Sequence, residues 1–226
     1  MDLGQKFGEL KDKAVDFVKD MAKTVDKRCY FTARSNDVSV LDRIFGENDS
    51  KSVMYELRKV RKFLIPNTPT VMYSAVVEYD DLSFTQTNYK YPAYTKSYPS
   101  EITVSFELTA MTGQEAKFML SVIKFLQTNS KSEFGVKAGM YAGHPPPVLN
   151  FNYLGQHMFH NVPVVIKGYQ LSFEPDVDYV EVPFKKTRVP AFTTITITLE
   201  TMYNPRELRD NFSLKDMKTG KLKGYI

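Results

Sequence analysis

Between Ile102 and Leu108 apolar and polar residues alternate without a break. Ile102, Val104, Phe106 and Leu108 fall on one side, and Thr103, Ser105 and Glu107 on the other. Successive side chains of a strand point to opposite faces, so this run dictates a half-buried strand with one wet face. Thr194-Ile-Thr-Ile-Thr-Leu-Glu200 repeats the pattern near the end of the chain. Strands of this kind belong in an antiparallel sheet, which can cover a core on one side and meet water on the other.

A helix signal lies between the two runs. Thr112-Gly-Gln-Glu115 has capping-box spacing, in which the Thr112 hydroxyl accepts the Glu115 amide and the Glu115 carboxylate reaches back. Ala116, Met119, Leu120, Val122, Ile123 and Leu126 follow, apolar over a wide arc, so the helix should lie against the sheet. Phe134-Gly135, Gly139 and Gly143-His-Pro-Pro-Pro-Val148 then form a stiff connection to strands over 148–153 and 162–173. Gly155 and Asn161 are placed in the turn between those strands, and Gly168 reads as a bulge.

Upstream, Pro66-Asn-Thr-Pro69 marks the entry to the β body. Val71, Tyr73, Ala75, Val77 and Tyr79 give the next strand an apolar face, opposite Ser74 and Glu78. Residues 84–98, with Phe84, Tyr89, Tyr91, Tyr94 and Tyr98, read as an exposed aromatic loop or a frayed strand. Residues 2–27 read as a helix, because Phe7, Leu10, Ala14, Phe17, Met21 and Val25 recur at three- and four-residue steps among Lys and Asp. That stripe needs a cover, either its own domain or a neighbouring subunit. Signals from Cys29 to Ser50 are mixed, and Ser52 to Phe63 reads as a short helix stopped by Pro66.

Placement of charge says more than the net +4. Residues 51–62 carry a net +4 and residues 205–226 a net +3, while 63–204 carry a net −2. The β body is therefore slightly acidic and the basic charge sits on its flanks, where a nucleic-acid binder would concentrate it on the folded body. No apolar run approaches the roughly 20 residues of a membrane span. Met1-Asp-Leu-Gly-Gln-Lys6 lacks the basic start and apolar stretch of a secretory signal. The single cysteine, Cys29, rules out an internal disulfide. These features describe a protein folded in the cytosol, without a membrane.

Catalytic constellations are missing from the text of the chain. His157 and His160 lie in a turn with no third ligand at a suggestive spacing, and His144 precedes three prolines in a rigid turn. Glu174, Asp176, Asp178 and Glu181 form an acidic turn without the Gly and distal Glu of a calcium loop. No Gly-rich phosphate loop and no nucleophile elbow occur. Cys29 has only Lys27 and Arg28 as basic neighbours in sequence. We therefore expect no enzyme activity, no cofactor and no metal. In the tyrosine-rich segment, aromatics interleaved with Lys90 and Lys96 suit partner contact, and alternatively stacking on single-stranded bases.

The order of Pro99-Ser-Glu-Ile-Thr-Val-Ser-Phe-Glu-Leu108, Ile123-Lys-Phe-Leu126, Phe134-Gly135, Ala142-Gly-His-Pro-Pro-Pro-Val-Leu149, Val162-Pro-Val-Val-Ile166 and Asp176-Val-Asp-Tyr179 resembles the tube-type proteins of long-tailed bacteriophages. The likeness is greatest to baseplate proteins of contractile tails that start or join the tail tube, and it covers about residues 65–226. It implies an α+β, mainly β fold, an antiparallel β-sandwich of tail-tube type with one packed helix, plus an N-terminal helical extension. On that plan residues 1–64 are the extension, 65–204 the sandwich and 205–226 a basic C-terminal tail. Six copies would close into a homohexameric ring, each giving strands to a barrel around the genome channel. DNA would pass through the lumen without specific binding.

The function expected from the resemblance is that of a structural virion protein at the base of the tail tube, joining the baseplate hub to the tube and assembled in the host cytoplasm. Its neighbours would be tube or hub rings, with the sheath and the tape measure protein as further partners. Phe7, Leu10, Phe17 and Met21 are the expected subunit contacts of the N-terminal helix, and Tyr91, Tyr94 and Tyr98 those of the tyrosine segment. Strand 194–200 is expected to be an open edge that pairs around the ring. A repeating tube subunit is the rival within this class. From other classes the rivals are a carbohydrate- or single-stranded-nucleic-acid-binding module stacking on Tyr89, Tyr91, Tyr94 and Tyr98, and a glycosidase using Glu174 or Asp176.

Overall fold

A computed structural model describes residues 29–135, 142–183 and 185–226. Phe7, Leu10, Phe17 and Met21 lie outside the described residues, as does the helix expected over 2–27. In chain order the described elements are β1 (Tyr30–Ala33), α1 (Val38–Phe45), α2 (Tyr55–Val60), β2 (Lys62–Leu64), β3 (Thr70–Leu82), β4 (Tyr91–Thr109) and α3 (Gly113–Asn129). They continue with β5 (Leu149–Tyr153), β6 (Phe159–Phe173), β7 (Tyr179–Val182), β8 (Thr187–Pro190), β9 (Phe192–Thr201), α4 (Pro205–Asn211) and α5 (Leu214–Lys218). The chain is mainly β, built on an antiparallel seven-stranded sheet in the order β2-β1-β5-β6-β9-β4-β3. β7 and β8 pair as a separate ribbon beside α3.

Both alternating runs fold as the pattern dictates. β4 and β9 are neighbours from Ile102↔Leu199 to Thr109↔Phe192, so their apolar residues share one face. Ile102, Val104, Phe106, Leu108, Ile195, Ile197 and Leu199 are all buried. Burying such side chains contributes on the order of 2 kcal/mol each relative to exposure, which is what fixes the register.

The opposite wall of the core comes from a segment the sequence did not resolve. Phe31 of β1 stacks on Phe63 of β2 at 5.5 Å, and Phe63 meets Phe125 of α3 at 5.2 Å and Phe106 of β4 at 6.0 Å. Residues 30–64 were expected to belong to a helical extension. Instead β1 and β2 join the sheet, and Leu41, Ile44, Phe45 and Leu57 of α1 and α2 belong to the same buried cluster as β4 and β9. The helix expected over 52–63 is cut to α2, because Arg61 adopts a left-handed conformation that ends it and turns the chain into β2. Arg58, almost wholly buried, donates to Asp42 Oδ1 from Nε at 2.9 Å and from Nη2 at 2.6 Å, tying α2 to α1.

The capping box of α3 forms as read. The Thr112 hydroxyl accepts the Glu115 amide at 3.3 Å, and Glu115 Oε2 accepts the amides of Met111 at 2.7 Å and Thr112 at 3.0 Å. These backbone donors hold the Glu115 carboxyl below its ordinary value. Ala116, Met119, Val122, Phe125 and Leu126 are buried, whereas Leu120 and Ile123 are only partly so. Gly113 allows the helix to meet the β7 ribbon: a Cβ there would lie 2.7 Å from the Pro183 ring.

Residues 205–226 are more than a charged tail. Tyr225 stacks on Tyr203 at 5.3 Å, and Ile226 packs against the core. Lys223 donates to Gln156 at 2.6 Å. Gly224, at φ 82°, passes close to the His160 carbonyl oxygen, 3.0 Å from where a Cβ would stand. Asn161, expected in the turn, lies within β6 and donates its amide to Asn152 Oδ1.

Candidate assembly surface

Two long strands, β3 and β4, run past the end of β9. They pair from Thr70↔Ser105 out to Leu82↔Tyr91, while β9 stops accompanying β4 at Ile102. Residues 75–99 therefore form a projecting two-stranded arm. The segment 84–98, expected as a loop or frayed strand, is mostly the returning strand of this arm, with the turn confined to 83–90. β4 carries an extra residue at two places, where the register shifts between Tyr73 and Ala75 and again between Glu78 and Tyr79. Bulges of this kind raise local twist and re-aim side chains.

One face of the arm continues the core-facing side of the sheet. Val71 pairs with buried Val104 and Tyr73 with buried Ile102, and beyond them the same face presents Ala75, Val77 and Tyr79. Tyr94 lies opposite Tyr79 and touches it edge to face at 6.0 Å. The alternation of β3 gives it the expected apolar face, yet Tyr73, Val77 and Tyr79 on that face are 41, 49 and 59% exposed. The alternation gives the face correctly but nothing among the described residues covers it. The other face is polar. Glu78 accepts from the Tyr98 hydroxyl at 2.8 Å and pairs with Lys96 at 3.1 Å, and these two partners hold its carboxyl below the ordinary value. Thr95 donates to Asp80 on this face, whereas Asp81, on the side of Tyr79, pairs with Lys90 at 2.7 Å near the turn.

This register divides the tyrosines. Tyr94 shares the apolar face with Tyr79, while Tyr91 (opposite Leu82) and Tyr98 (opposite Val76) lie on the other side. Tyr89 sits in the turn, largely exposed. The four rings expected to form one stacking platform thus point to both sides of a ribbon. Tyr91, Tyr94 and Tyr98 are all exposed, as a contact residue of the free chain would be.

The sheet's second feature is its wet face. Thr103, Ser105 and Glu107 of β4, Thr194, Thr196, Thr198 and Glu200 of β9, and Gln170 and Ser172 of β6 share it. Ser105 and Thr196 meet across the strands at 3.2 Å. At the bulge expected at Gly168 the register shifts between Ile166 and Gly168, and Lys167 there bridges Glu101 at 2.5 Å and Glu200 at 3.5 Å. With Glu107 added, this face carries more negative than positive charge.

The edges differ from the expectation. β9 is no edge: β4 pairs on one side of it and β6 on the other. Its cleaner alternation comes from being central with one face buried, which alternation alone does not distinguish from an edge position. In the seven-stranded sheet the strand edges without a partner among the described residues are the far side of β2, β3 along its whole length, residues 91–101 of β4 beyond the end of β9, and the second half of β6, since β5 reaches β6 only as far as Val164. β3 contains neither Pro nor Lys, the residues that blunt an edge.

Groups singled out for chemistry stay apart. Among the described residues no three His, Cys, Asp or Glu side chains gather where a metal could be held. His157 lies beside Gly220, and His160 beside Asn161. Glu174 and Asp176 are exposed in the approach to the β7 ribbon. Cys29 is buried, and burial pushes its thiol up to about 12, which removes the thiolate a nucleophile needs. No described helix is long and apolar enough to cross a membrane. No family model matches the chain, and no curated protein matches it.

Proposed function

We propose that this chain is a structural subunit that closes into a ring, with the wet face of β6–β9–β4–β3 lining the central channel. The observation that carries the reading is the pair of open edges, β3 and the second half of β6, on opposite sides of one four-stranded patch. Strand direction alternates across the patch, so β3 of one copy beside β6 of the next is again an antiparallel neighbour. Joining copies in this way pairs the β3 and β6 edges into one continuous sheet with one sign of curvature, which is how a barrel forms. Six copies of four strands, spaced about 4.8 Å apart, enclose a circle roughly 37 Å across before tilt widens it, enough for a double helix.

Thr, Ser, Gln and Glu side chains on that face suit the passage of nucleic acid without retention. Phosphate is held by Lys and Arg, whereas here Lys167 is already paired to Glu101 and Glu200. With the resemblance to tail-tube proteins of long-tailed phages, the reading becomes a tail-tube-type β-sandwich forming a ring at the base of the tube, between baseplate hub and tube. The projecting arm, with Tyr91, Tyr94 and Tyr98, then reaches an adjacent ring or the sheath, and the tape measure protein and the DNA occupy the channel.

The test is native mass and negative-stain imaging of the full chain and of a Ser74→Pro, Val76→Pro variant. Proline is tolerated only at sheet edges and removes a donor there. Rings in the parent chain and their loss in a variant that keeps its far-UV spectrum and cooperative unfolding are the expected result. Rings that persist in the variant would rule out β3 as the joining edge.

A further inference from the structure

The two open edges of the four-stranded patch are out of step with each other. Across the patch Tyr169 of β6 stands in line with Ile197, Val104 and finally Val71 of β3, and Gln170 with Thr196, Ser105 and Thr70. β3 begins at Thr70. If copies met with no slip along the strands, Leu171, Ser172 and Phe173 would find no partner, and most of the arm's edge would stay open.

We propose that neighbouring copies join with a slip of four residues, so that Tyr169 of one copy lies opposite Ala75 of the next, Leu171 opposite Tyr73, and Phe173 opposite Val71. This register rests on the ring reading and specifies its seam. Three constraints meet at that value. The first is facing. Tyr169, Leu171 and Phe173 lie on the core side of β6, in line with Ile197, Ile195 and Thr193, while Val71, Tyr73 and Ala75 lie on the core side of β3. Successive side chains alternate between faces, so an odd slip would set the apolar side of one copy against the wet side of the next.

The second constraint is length. A slip of two leaves Phe173 beyond the start of β3, and four is the smallest even slip that gives the whole free edge of β6 a partner. The third is closure. Four strands about 4.8 Å apart make a copy about 19 Å wide, and four residues rise about 13 Å, so the strands tilt by about 35°. That is one residue of slip per strand, the proportion of an eight-stranded barrel of shear 8, whose strands tilt by about 36°. A slip of six would tilt them by about 46°, past the usual range of about 35–45°. At a slip of four, Tyr73 and Phe173, exposed in the free chain, join one apolar surface that crosses the seam. The small Ala75 side chain leaves room beside the Tyr169 ring.

Disulfide mapping between copies of the full chain tests the register. Cys29 stays in place, because it is buried and its thiol is held protonated. Ala75→Cys with Tyr169→Cys reads a slip of four, Tyr73→Cys with Tyr169→Cys a slip of two, and Ala75→Cys with Leu171→Cys a slip of six. Ser74→Cys with Gln170→Cys reads four from the wet face, which keeps the test open if a core-side variant does not fold. Oxidised as rings, the slip-of-four pairs should bond between copies several-fold faster than the other two, giving a ladder of linked chains on non-reducing gels. Rings in which the two- or six-residue pair bonds fastest, or in which no pair bonds, would overturn the register and leave the ring standing. Absence of rings in the parent chain would overturn ring and register together.

Discussion

The sheet has two ends built from the same alternating grammar with opposite outcomes. At the packed end, Phe31, Phe63, Phe106, Phe125 and Phe151 close around α3 and are all essentially inaccessible. On the arm, Tyr73, Val77 and Tyr79 alternate just as faithfully and remain about half exposed. Alternation fixes which residues share a face, but cover is a property of what else lies near. A strand can therefore be written for burial and meet its partner outside the described fold.

The largest effect should come from breaking the packed end. Phe125→Ala removes a ring contacting both Phe45 and Phe63, and should lower stability by roughly 3–5 kcal/mol in urea unfolding. The matching change on the arm, Val77→Ser, should cost the isolated fold under about 0.5 kcal/mol, because it leaves no cavity there. Equal costs at the two positions would erase the contrast and mean that the arm is packed in the free chain.

Thr112→Ala sharpens the contrast more gently. It removes one half of the capping box on the helix that serves the packed end, and should cost about 1 kcal/mol in the same assay. The smallest effect is one of pH. Backbone amides hold the Glu115 carboxyl below its ordinary value, so its contribution is present above the unfolded pKa and is lost as pH falls through the lower folded value. Stability measured from neutral pH down through the acid range should fall less steeply in Glu115→Gln than in the parent chain. An identical acid limb in the two chains would show that the cap contributes nothing there.

How much of this was legible in the sequence follows from the same physics. Local signals survived well: the two alternating runs, the Thr112–Glu115 box and the Gly168 bulge each need only neighbouring residues to be read. Strands β1 and β2 were missed because four- and three-residue strands are too short to show a period, and their membership of the core depends on Phe63 meeting Phe106 and Phe125 far along the chain. The position of β9 within the sheet was likewise out of reach, since register and neighbours are set by long-range pairing. The arm was half legible. The exposure of Tyr91, Tyr94 and Tyr98 was legible, but the lack of cover over the apolar face of Tyr73, Val77 and Tyr79 was not, because alternation does not register how far a strand runs beyond its neighbour.

In the proposed ring the open edges of β3 and β6 join neighbouring copies around a wet channel. Native mass and negative-stain imaging of the purified full chain tests it most directly. Closed rings of about six subunits with a central hole, the count being that of the tube-type proteins this chain resembles, are the predicted result. A compact monomer at the highest soluble concentration, with the β3 edge still open to amide exchange, would contradict it.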